Sequence, residues 1–279
     1  ALTFGFTLLT TEIAIGRKTR QGPLTAYGLI HKKFAGLGFM AWVVPIIILP
    51  YYCTIGGWVL KYLFSFLTGN CSGAAGDGYF TSFITSQWSP VIWMVIFLGM
   101  TAFVVFSGVE KGIEKFSKIL MPILILLVIG ISLFSLTLNA TDAQGVTRTG
   151  LQGLKMYLVP DFQGMTVKGF FLLLLDAVGQ LFFSISVSMG IMVTYGSYVK
   201  DDTNLMRSIN QIEFFDTLVA LLAGMMIIPA VFTFMGLDSM SEGPGLMFVS
   251  LPKVFDAMGG IGTFIGALFF LMVTFAAVT

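Results

Sequence analysis

Long apolar runs with almost no charge are the feature that most limits what this chain can fold into. Residues 90–106 and 259–279 contain no Asp, Glu, Lys or Arg, and a helix of about 20 apolar residues crosses a bilayer core. Charged residues make up only 10% of the chain and hydrophobic residues 56%, whereas soluble domains carry about 25% charged residues. A chain this apolar has too little polar surface to face water, so we predict an all-α, polytopic membrane protein.

Seven apolar segments are predicted to span the membrane. The connections between them are polar, and residues 150–158 in the longest one are predicted to form a short surface helix. Residues 70–89, 200–211 and 237–258 are predicted to be loops, the last because it holds two prolines. The predicted segments are residues 1–15, 37–67, 90–106, 119–138, 169–199, 212–235 and 259–279.

The distribution of lysine and arginine predicts the orientation of these segments. Most basic residues lie in the loops after Arg17, Lys111 and Lys200, and basic loops face the cytoplasm. We therefore expect a multi-pass protein of the plasma (inner) membrane with these three loops inside and the lipid bilayer as its surroundings. The sequence carries no nucleic-acid signature and no phosphate-cradling loop, and it indicates no oligomeric state.

One predicted segment is a poor uninterrupted helix. Ser184, Ser186 and Ser188 alternate through its middle and Gly190 follows, and such residues weaken a helix. In lipid, an unwound backbone is tolerated only where it is buried in protein or lines a cavity. Two half-helices that meet there would offer N–H and C=O groups to an ion or a small zwitterion. The alternative is an ordinary buried helix whose serines bond back to their own carbonyls.

Five motifs occur in an order that resembles one known family. They resemble the neurotransmitter:sodium symporter family, particularly its bacterial amino-acid transporters, from the second to part of the eighth transmembrane helix. The resemblance implies a truncated leucine-transporter-like inverted-repeat fold with a broken sixth helix. It also implies one transmembrane transporter domain over residues 1–279, incomplete at both ends. The motifs are EIAIGR at 12–17, YYCTIGGW at 51–58, KGIEKFSKILMP at 111–122, QLFFSISVSMG at 180–190 and DTLVALLAG at 216–224.

The function implied by this resemblance is sodium-coupled symport of an amino acid by alternating access. It is not an enzymatic function, and no nucleophile–base pair or metal cluster stands within the predicted spans. Two alternatives stay open. One is a symporter of the same fold for another small organic solute or ion, and the other is a membrane sensor that binds a solute without moving it.

The resemblance also implies where the substrate binds. Tyr52 matches the tyrosine whose hydroxyl meets the substrate carboxylate, and Ile48 lies one helical turn earlier on the same face. Ordinary core packing is the alternative for the apolar positions. The other matched positions are Phe183, Ser186 and Met189 in the side-chain pocket and Gln180 near the outer gate.

Four acids lie at or near membrane depth, where a carboxylate is costly and by default indicates function. For Glu12 we favour a structural role, because an unwound helix has spare N–H groups and a buried carboxylate accepts them. The resemblance places Glu12 beside the break. Glu213 lies near a helix end and is expected to be solvated, Asp176 has no assigned role, and Asp216 is discussed next.

Sodium ligands are the last set implied by the resemblance. Ser184 and Asp216 match one Na⁺ site, and Ala276 and Thr279 match a second. Both sites are expected to be incomplete, because their partner ligands come from the family's first helix. Animal relatives need chloride and carry a neutral asparagine at the position matched to Asp216, so we expect no chloride requirement here. A shift of the match by one helical turn would put Ala220 at the anion position instead.

Overall fold

The computed structural model describes residues 4–106, 109–141, 145–160, 162, 164–236 and 245–278, with the backbone alone at residues 4, 109–117 and 119. Within these residues the chain is almost entirely helical, which confirms the predicted all-α class. A short antiparallel hairpin joins β1 (Asn139–Thr141) to β2 (Thr147–Thr149). The helices of the first half are α1 (Phe4–Thr19), α2 (Pro23–Ile30), α3 (Ala35–Leu67), α4 (Cys71–Ala75), α5 (Tyr79–Thr85), α6 (Ser89–Phe106) and α7 (Val109–Leu136).

The second half of the chain contains the break predicted from the serine alternation. A helix ends at Ser184 and the next begins at Ile191, so the predicted broken helix is confirmed. The predicted surface helix is also present as α8. The helices are α8 (Gly150–Leu158), α9 (Val167–Ser184), α10 (Ile191–Tyr198), α11 (Leu205–Met235), α12 (Gly245–Ala257) and α13 (Gly260–Val278).

Five helices in the described part of the chain are long and apolar enough to cross a membrane. A sixth, shorter apolar stretch lies within α7 at Leu120–Leu136. These helices confirm a multi-pass membrane protein. The five are Lys32–Leu67, Ser89–Phe106, Val167–Ser184, Leu205–Met235 and Gly260–Val278.

The loop predicted at residues 237–258 is wrong where the structure describes it, because Gly245–Ala257 forms α12. Phe248, Leu251 and Phe255 are completely or almost completely buried, and this helical spacing lets α12 bury one apolar face despite a proline inside it. The predicted loops at 200–211 and 70–89 also contain helix, namely the first residues of α11 and the short helices α4 and α5.

Residue contacts divide the chain into two compact units, and the predicted single transmembrane domain stays a prediction. The first unit comprises Ala1–Pro50 and Asp161–Ala220. Its core contains Ile185 and Val187 from the break. The alternation of these two buried residues with the serines therefore gives the break an apolar side that is buried in the unit. The other core residues are Leu9 and Ile13 of α1 and Ile209 of α11.

The second unit comprises Tyr51–Pro160 and Leu221–Thr279 and has an aromatic core. Phe80 of α5 stacks on Phe248 of α12 with ring centroids 5.5 Å apart, and Tyr62 of α3 lies 5.4 Å from Phe270 of α13. Aromatic pairs of this kind add to the free energy gained by burying their area. This packing positions α12 between α5 and α13.

Candidate functional site

The break between α9 and α10 replaces the regular helical bonding by a tight irregular path. The last regular bond runs from the Ile185 N–H to the Leu181 carbonyl at 3.1 Å. The Ser186 N–H then donates three residues back, at 3.2 Å, and the Val187 N–H donates five residues back, at 3.0 Å. Regular bonding resumes when the Thr194 N–H donates to the Gly190 carbonyl at 3.1 Å. Backbone groups between these points are therefore available for other partners.

Three residues of the break have left-handed backbone conformations. Their φ angles are +55° at Ser186, +64° at Ser188 and +71° at Gly190. Glycine adopts such angles freely, whereas a residue with a side chain is strained by about 1–2 kcal/mol. Two strained serines persist only where the surrounding structure holds them. The sequence signal for the break was thus serine alternation, but the strain at Ser186 and Ser188 is a property of the folded chain.

Glu12 of α1 is hydrogen-bonded to the backbone of the break. Its Oε1 accepts a hydrogen bond of 2.7 Å from the Ser188 N–H, and its side chain is only 6% exposed. The second oxygen, Oε2, is buried and has no hydrogen-bond partner among the described residues. Burying a carboxylate is unfavourable unless it is hydrogen-bonded. This hydrogen bond therefore lowers the free-energy cost of the buried Glu12 carboxylate and stabilises the strained backbone at Ser188.

Close packing of α1 against α10 brings Glu12 to the break. A Cβ on Gly16 would overlap the Val193 carbonyl, and a Cβ on Gly196 would overlap the Ile13 carbonyl. Each glycine therefore lets the backbone of one helix contact the backbone of the other. The sequence shows a glycine on each segment, but only the structure shows that the two segments pack side by side.

Two arginines at the end of α1, Arg17 and Arg20, form an arginine clamp that is hydrogen-bonded to the backbone at the end of α10 and just after it. Arg17 donates to the carbonyls of Thr203, at 2.9 Å, and Asp201, at 2.8 Å. Arg20 donates to the Ser197 carbonyl at 3.3 Å and also to the Val199 carbonyl and the Asp201 carboxylate. Cations near a helix C-terminus satisfy its free carbonyls and its dipole. This arginine clamp was not foreseen from the sequence beyond the basic charge of the loop.

Ser184 and Asp216, which the resemblance assigns to one sodium site, lie in direct contact. The Ser184 hydroxyl donates to Oδ1 of Asp216 at 2.6 Å. Ser184 is exposed and Asp216 is half-buried. Of the other two predicted sodium residues, Ala276 is half-buried on α13 in the second unit, and Thr279 lies outside the described residues.

Met189 lines a cavity of about 400 Å³ within the first unit. Trp42, Pro45 and Ile46 of α3 also line it, as does Tyr195 of α10. Aromatic and apolar walls of this size are typical of sites for small organic molecules. The cavity therefore gives one of the predicted substrate residues an open space beside it.

The remaining predicted substrate residues are placed as follows. Tyr52 lies in the second unit, and its hydroxyl donates to the Ala277 carbonyl at 2.8 Å. This hydroxyl therefore already has a protein acceptor, and as a phenol it can also accept a bond. In the first unit, Ile48 and Ser186 are half-buried, whereas Phe183 and Gln180 are exposed.

Glu213 of α11 departs from the expectation for it. It is 6% exposed rather than solvated. Its buried Oε1 has no hydrogen-bond partner among the described residues and lies 3.2 Å from where a Cβ on Gly5 would stand. Because α11 begins at Leu205, Glu213 is inside the helix and not near its end, and its contact with α1 buries it. Glu213 precedes Asp216 by three residues, and this spacing in the sequence predicts that both acids lie on one face of the helix.

With this geometry in place, comparison with known proteins decides the family. The profile of the Sodium:neurotransmitter symporter family matches residues 1–87 and 80–279. The chain belongs to the sodium:neurotransmitter symporter family. This confirms the resemblance found in the motifs, and it confirms that the chain comes from a family of transporters and not of enzymes.

Three similar proteins illustrate how this chain relates to its family. The uncharacterized sodium-dependent transporter YhdH of Bacillus subtilis (strain 168) is 36% identical over 281 residues, covering 99% of this chain and 58% of YhdH. The sodium- and chloride-dependent GABA transporter 2 of Mus musculus is 25% identical over 304 residues, covering 90% and 47% of the two chains. The crystal structure of MhsT in complex with L-phenylalanine superposes with a TM-score of 0.85 at 34% identity, covering 98% and 60%. The chain thus spans less than two thirds of the length of each.

Proposed function

We propose that the full-length chain is a sodium-coupled symporter that carries an amino acid across the plasma (inner) membrane by alternating access. The observation that supports it most is the break itself. A backbone with two left-handed serines, bonded to Glu12, lies at the end of the helix that carries the Ser184–Asp216 contact. Broken helices of this kind supply the donors and acceptors for substrates and coupling ions in transporters. The loop predicted after Lys111 is wrong, because Lys111 lies in the first turn of α7. The end of α1 at Arg17, the start of α7 at Lys111 and the segment after Lys200 are proposed to face the cytoplasm.

For sodium we propose two sites. The first uses the Ser184 hydroxyl, the Asp216 carboxylate and nearby carbonyls at the C-terminal end of α9, where the helix dipole is negative. A hydroxyl and a carboxylate in direct contact can both turn toward one small cation, and oxygen ligands suit such a cation. The second site uses Ala276 and Thr279, and its geometry remains a proposal from the family match.

We further propose that transport does not require chloride. An ion that leaves water loses several kcal/mol of solvation free energy, by order of magnitude, so a sodium site at membrane depth needs negative charge nearby. Asp216 would supply that charge permanently, and Glu213 stands one helical turn away on the same helix. Two acids close to the proposed site make a mobile anion unnecessary.

The proposed substrate is an amino acid, whose carboxylate Tyr52 is proposed to bind. Tyr52 would exchange its bond to the Ala277 carbonyl for one to the substrate carboxylate, and a bond to a charged group is the stronger of the two. Ile48, Phe183, Ser186 and Met189 are proposed to contact the side chain, and Gln180 to lie near the outer gate. The apolar cavity beside Met189 favours an apolar side chain.

Uptake into proteoliposomes tests this function. The full-length chain is reconstituted, an inward sodium gradient is applied, and uptake is measured over the set of amino acids. We expect accumulation of at least one amino acid that stops when potassium replaces sodium. If uptake is inhibited only by a solute that is not an amino acid, the result would favour a symporter of the same fold for another small organic solute or ion. Saturable binding without net uptake would favour a sensor and contradict transport.

A further inference from the structure

Helix α8 of the second unit carries an apolar stripe that lies outside the aromatic core of that unit. Leu151, Leu154 and Leu158 recur at the spacing of one helix face. Leu151 is 63% exposed and Leu158 is 52% exposed, and Leu154 is half-buried. Gln152 and Lys155 are also exposed and lie beside this stripe on the helix surface. The exposed side of α8 therefore has an apolar edge, the leucine stripe, and a polar edge.

The opposite side of α8 packs on α7 and α11. A Cβ on Gly150 would overlap the backbone at the end of α7, and a Cβ on Gly153 would stand 2.7 Å from the Cα of Pro229 in α11. The Tyr157 ring lies against Gly224, where a Cβ would stand 2.2 Å from the tyrosine oxygen. Two small residues and one tyrosine thus let α8 lie directly on its neighbours.

These contacts place α8 along the apolar part of α11. Residues 217–237 contain no Asp, Glu, Lys or Arg, and a helix of about 20 apolar residues crosses a bilayer core. Pro229 and Gly224 both lie inside this run, and Gly224 lies about 16 Å before the end of α11. The Arg148 guanidinium, just before α8, instead lies beside Gly236 at the end of α11. Helix α8 therefore begins near one end of the membrane span, and its Leu158 end lies deeper.

The backbone at both ends of α8 is bonded within the protein, as contact with lipid requires. At the N-terminal end, Thr149 and Gln152 form a capping box with hydrogen bonds of 3.1 Å and 3.3 Å. The Gly150 N–H donates to the Leu138 carbonyl at 2.9 Å. At the C-terminal end, the Val159 N–H donates to a carbonyl of α8 at 2.9 Å. Both ends of the helix can therefore lie at membrane depth without needing water as a partner.

We propose that the leucine stripe of α8 contacts the acyl chains of the bilayer, with Gln152 and Lys155 toward the headgroups. Helices with an apolar edge and a polar edge bind at the boundary between headgroups and acyl chains, and a lysine there extends its charged end toward water. A soluble partner does not fit, because it would have to enter the hydrocarbon to reach Leu158. The proposal does not depend on the transported solute, and it is tested without measuring transport.

A spin label at position 158 tests this contact. Leu158→Cys is made in the full-length chain, with its other cysteines replaced by alanine, and the labelled protein is reconstituted into phosphatidylcholine vesicles. Power saturation compares collisions of the label with oxygen, which concentrates in hydrocarbon, and with a water-soluble nickel chelate. We expect the ratio of oxygen to nickel collisions to be at least about threefold higher than for Lys155→Cys on the polar edge, because hydrocarbon excludes polar solutes.

A label in water and a label buried in protein would each overturn the proposal. Thr147→Cys, at an exposed position of β2, supplies the value expected in water, and an equal ratio at position 158 would place the stripe in water. Rare collisions with both reagents at position 158 would mean that another part of the full-length chain covers the stripe. If Leu158→Cys does not fold, Leu151→Cys replaces it on the same stripe. It should also exceed Thr147→Cys in the oxygen to nickel ratio, and an equal ratio would contradict the contact.

Discussion

Replacing Glu12 by alanine should loosen the break between α9 and α10. The change removes the acceptor of the 2.7 Å hydrogen bond from the Ser188 N–H. It also removes a side chain that is 94% buried, since its exposed fraction is 6%. The two left-handed serines would then lose a contact that compensates their strain.

The size of the effect follows from the environment of both partners. Loss of a partner from a buried donor costs about 1–3 kcal/mol. Ser188 itself is exposed, so water can partly satisfy its N–H, which favours the lower part of this range, about 1–2 kcal/mol. That corresponds to an increase of about 5- to 30-fold in the local opening equilibrium. Glu12→Gln keeps a neutral acceptor and should lie between the parent and the alanine variant.

Amide hydrogen exchange of residues 186–190 in the full-length chain measures this opening directly. Exchange should accelerate in Glu12→Ala, to a smaller extent in Glu12→Gln, and not in Thr11→Ala, whose hydroxyl donates to the Thr7 carbonyl of its own helix. Amides of α13 should be unaffected, which separates local opening from global unfolding. Unchanged exchange at the break in Glu12→Ala would refute the role assigned to Glu12.

Three further predictions concern the proposed sites and the ion pair between Asp77 and Lys253. Tyr52→Phe should weaken amino-acid binding by about 1.5–3 kcal/mol, because a hydroxyl donor to a charged carboxylate is lost; equal affinity in a binding assay would show that Tyr52 does not contact the substrate. Uptake should persist when gluconate replaces chloride and should fall in Asp216→Asn, with chloride restoring part of the loss; uptake that requires chloride in the parent would contradict this. The hydrogen bond from Lys253, at 2.7 Å, and its charge lower the pKa of Asp77 below its usual value near 3.8. The stabilisation is therefore present above about pH 4 and lost as the pH falls through the lowered pKa. Asp77→Asn should lower the melting temperature slightly at pH 7, because an exposed ion pair contributes about 0–1 kcal/mol to stability. The difference in melting temperature from the parent should vanish at pH 2. A difference that persists at pH 2 would contradict the ion-pair explanation.

Local composition was enough to predict several features of this protein. The charge-free runs within α6 and α13 predict membrane-spanning helices, because their length matches the bilayer core and a helix satisfies its own backbone groups in lipid. The alternation of Ser184, Ser186 and Ser188 before Gly190 determined the break, since these residues weaken a helix wherever they occur. Such features depend on residues close together in sequence, so they can be read without knowing what packs against them.

Other features were decided only by contacts between distant parts of the chain. Helix α12 forms although it contains Pro252, because Phe248, Leu251 and Phe255 find a core to fill. Glu213 is buried because its side chain lies against α1, with Oε1 3.2 Å from where a Cβ on Gly5 would stand. The bond from Ser188 to Glu12 joins residues 176 positions apart, and it requires α1 and α10 to pack closely through Gly16 and Gly196. A sequence specifies which groups are available, but the free energy of burying them depends on neighbours that only the tertiary structure brings together.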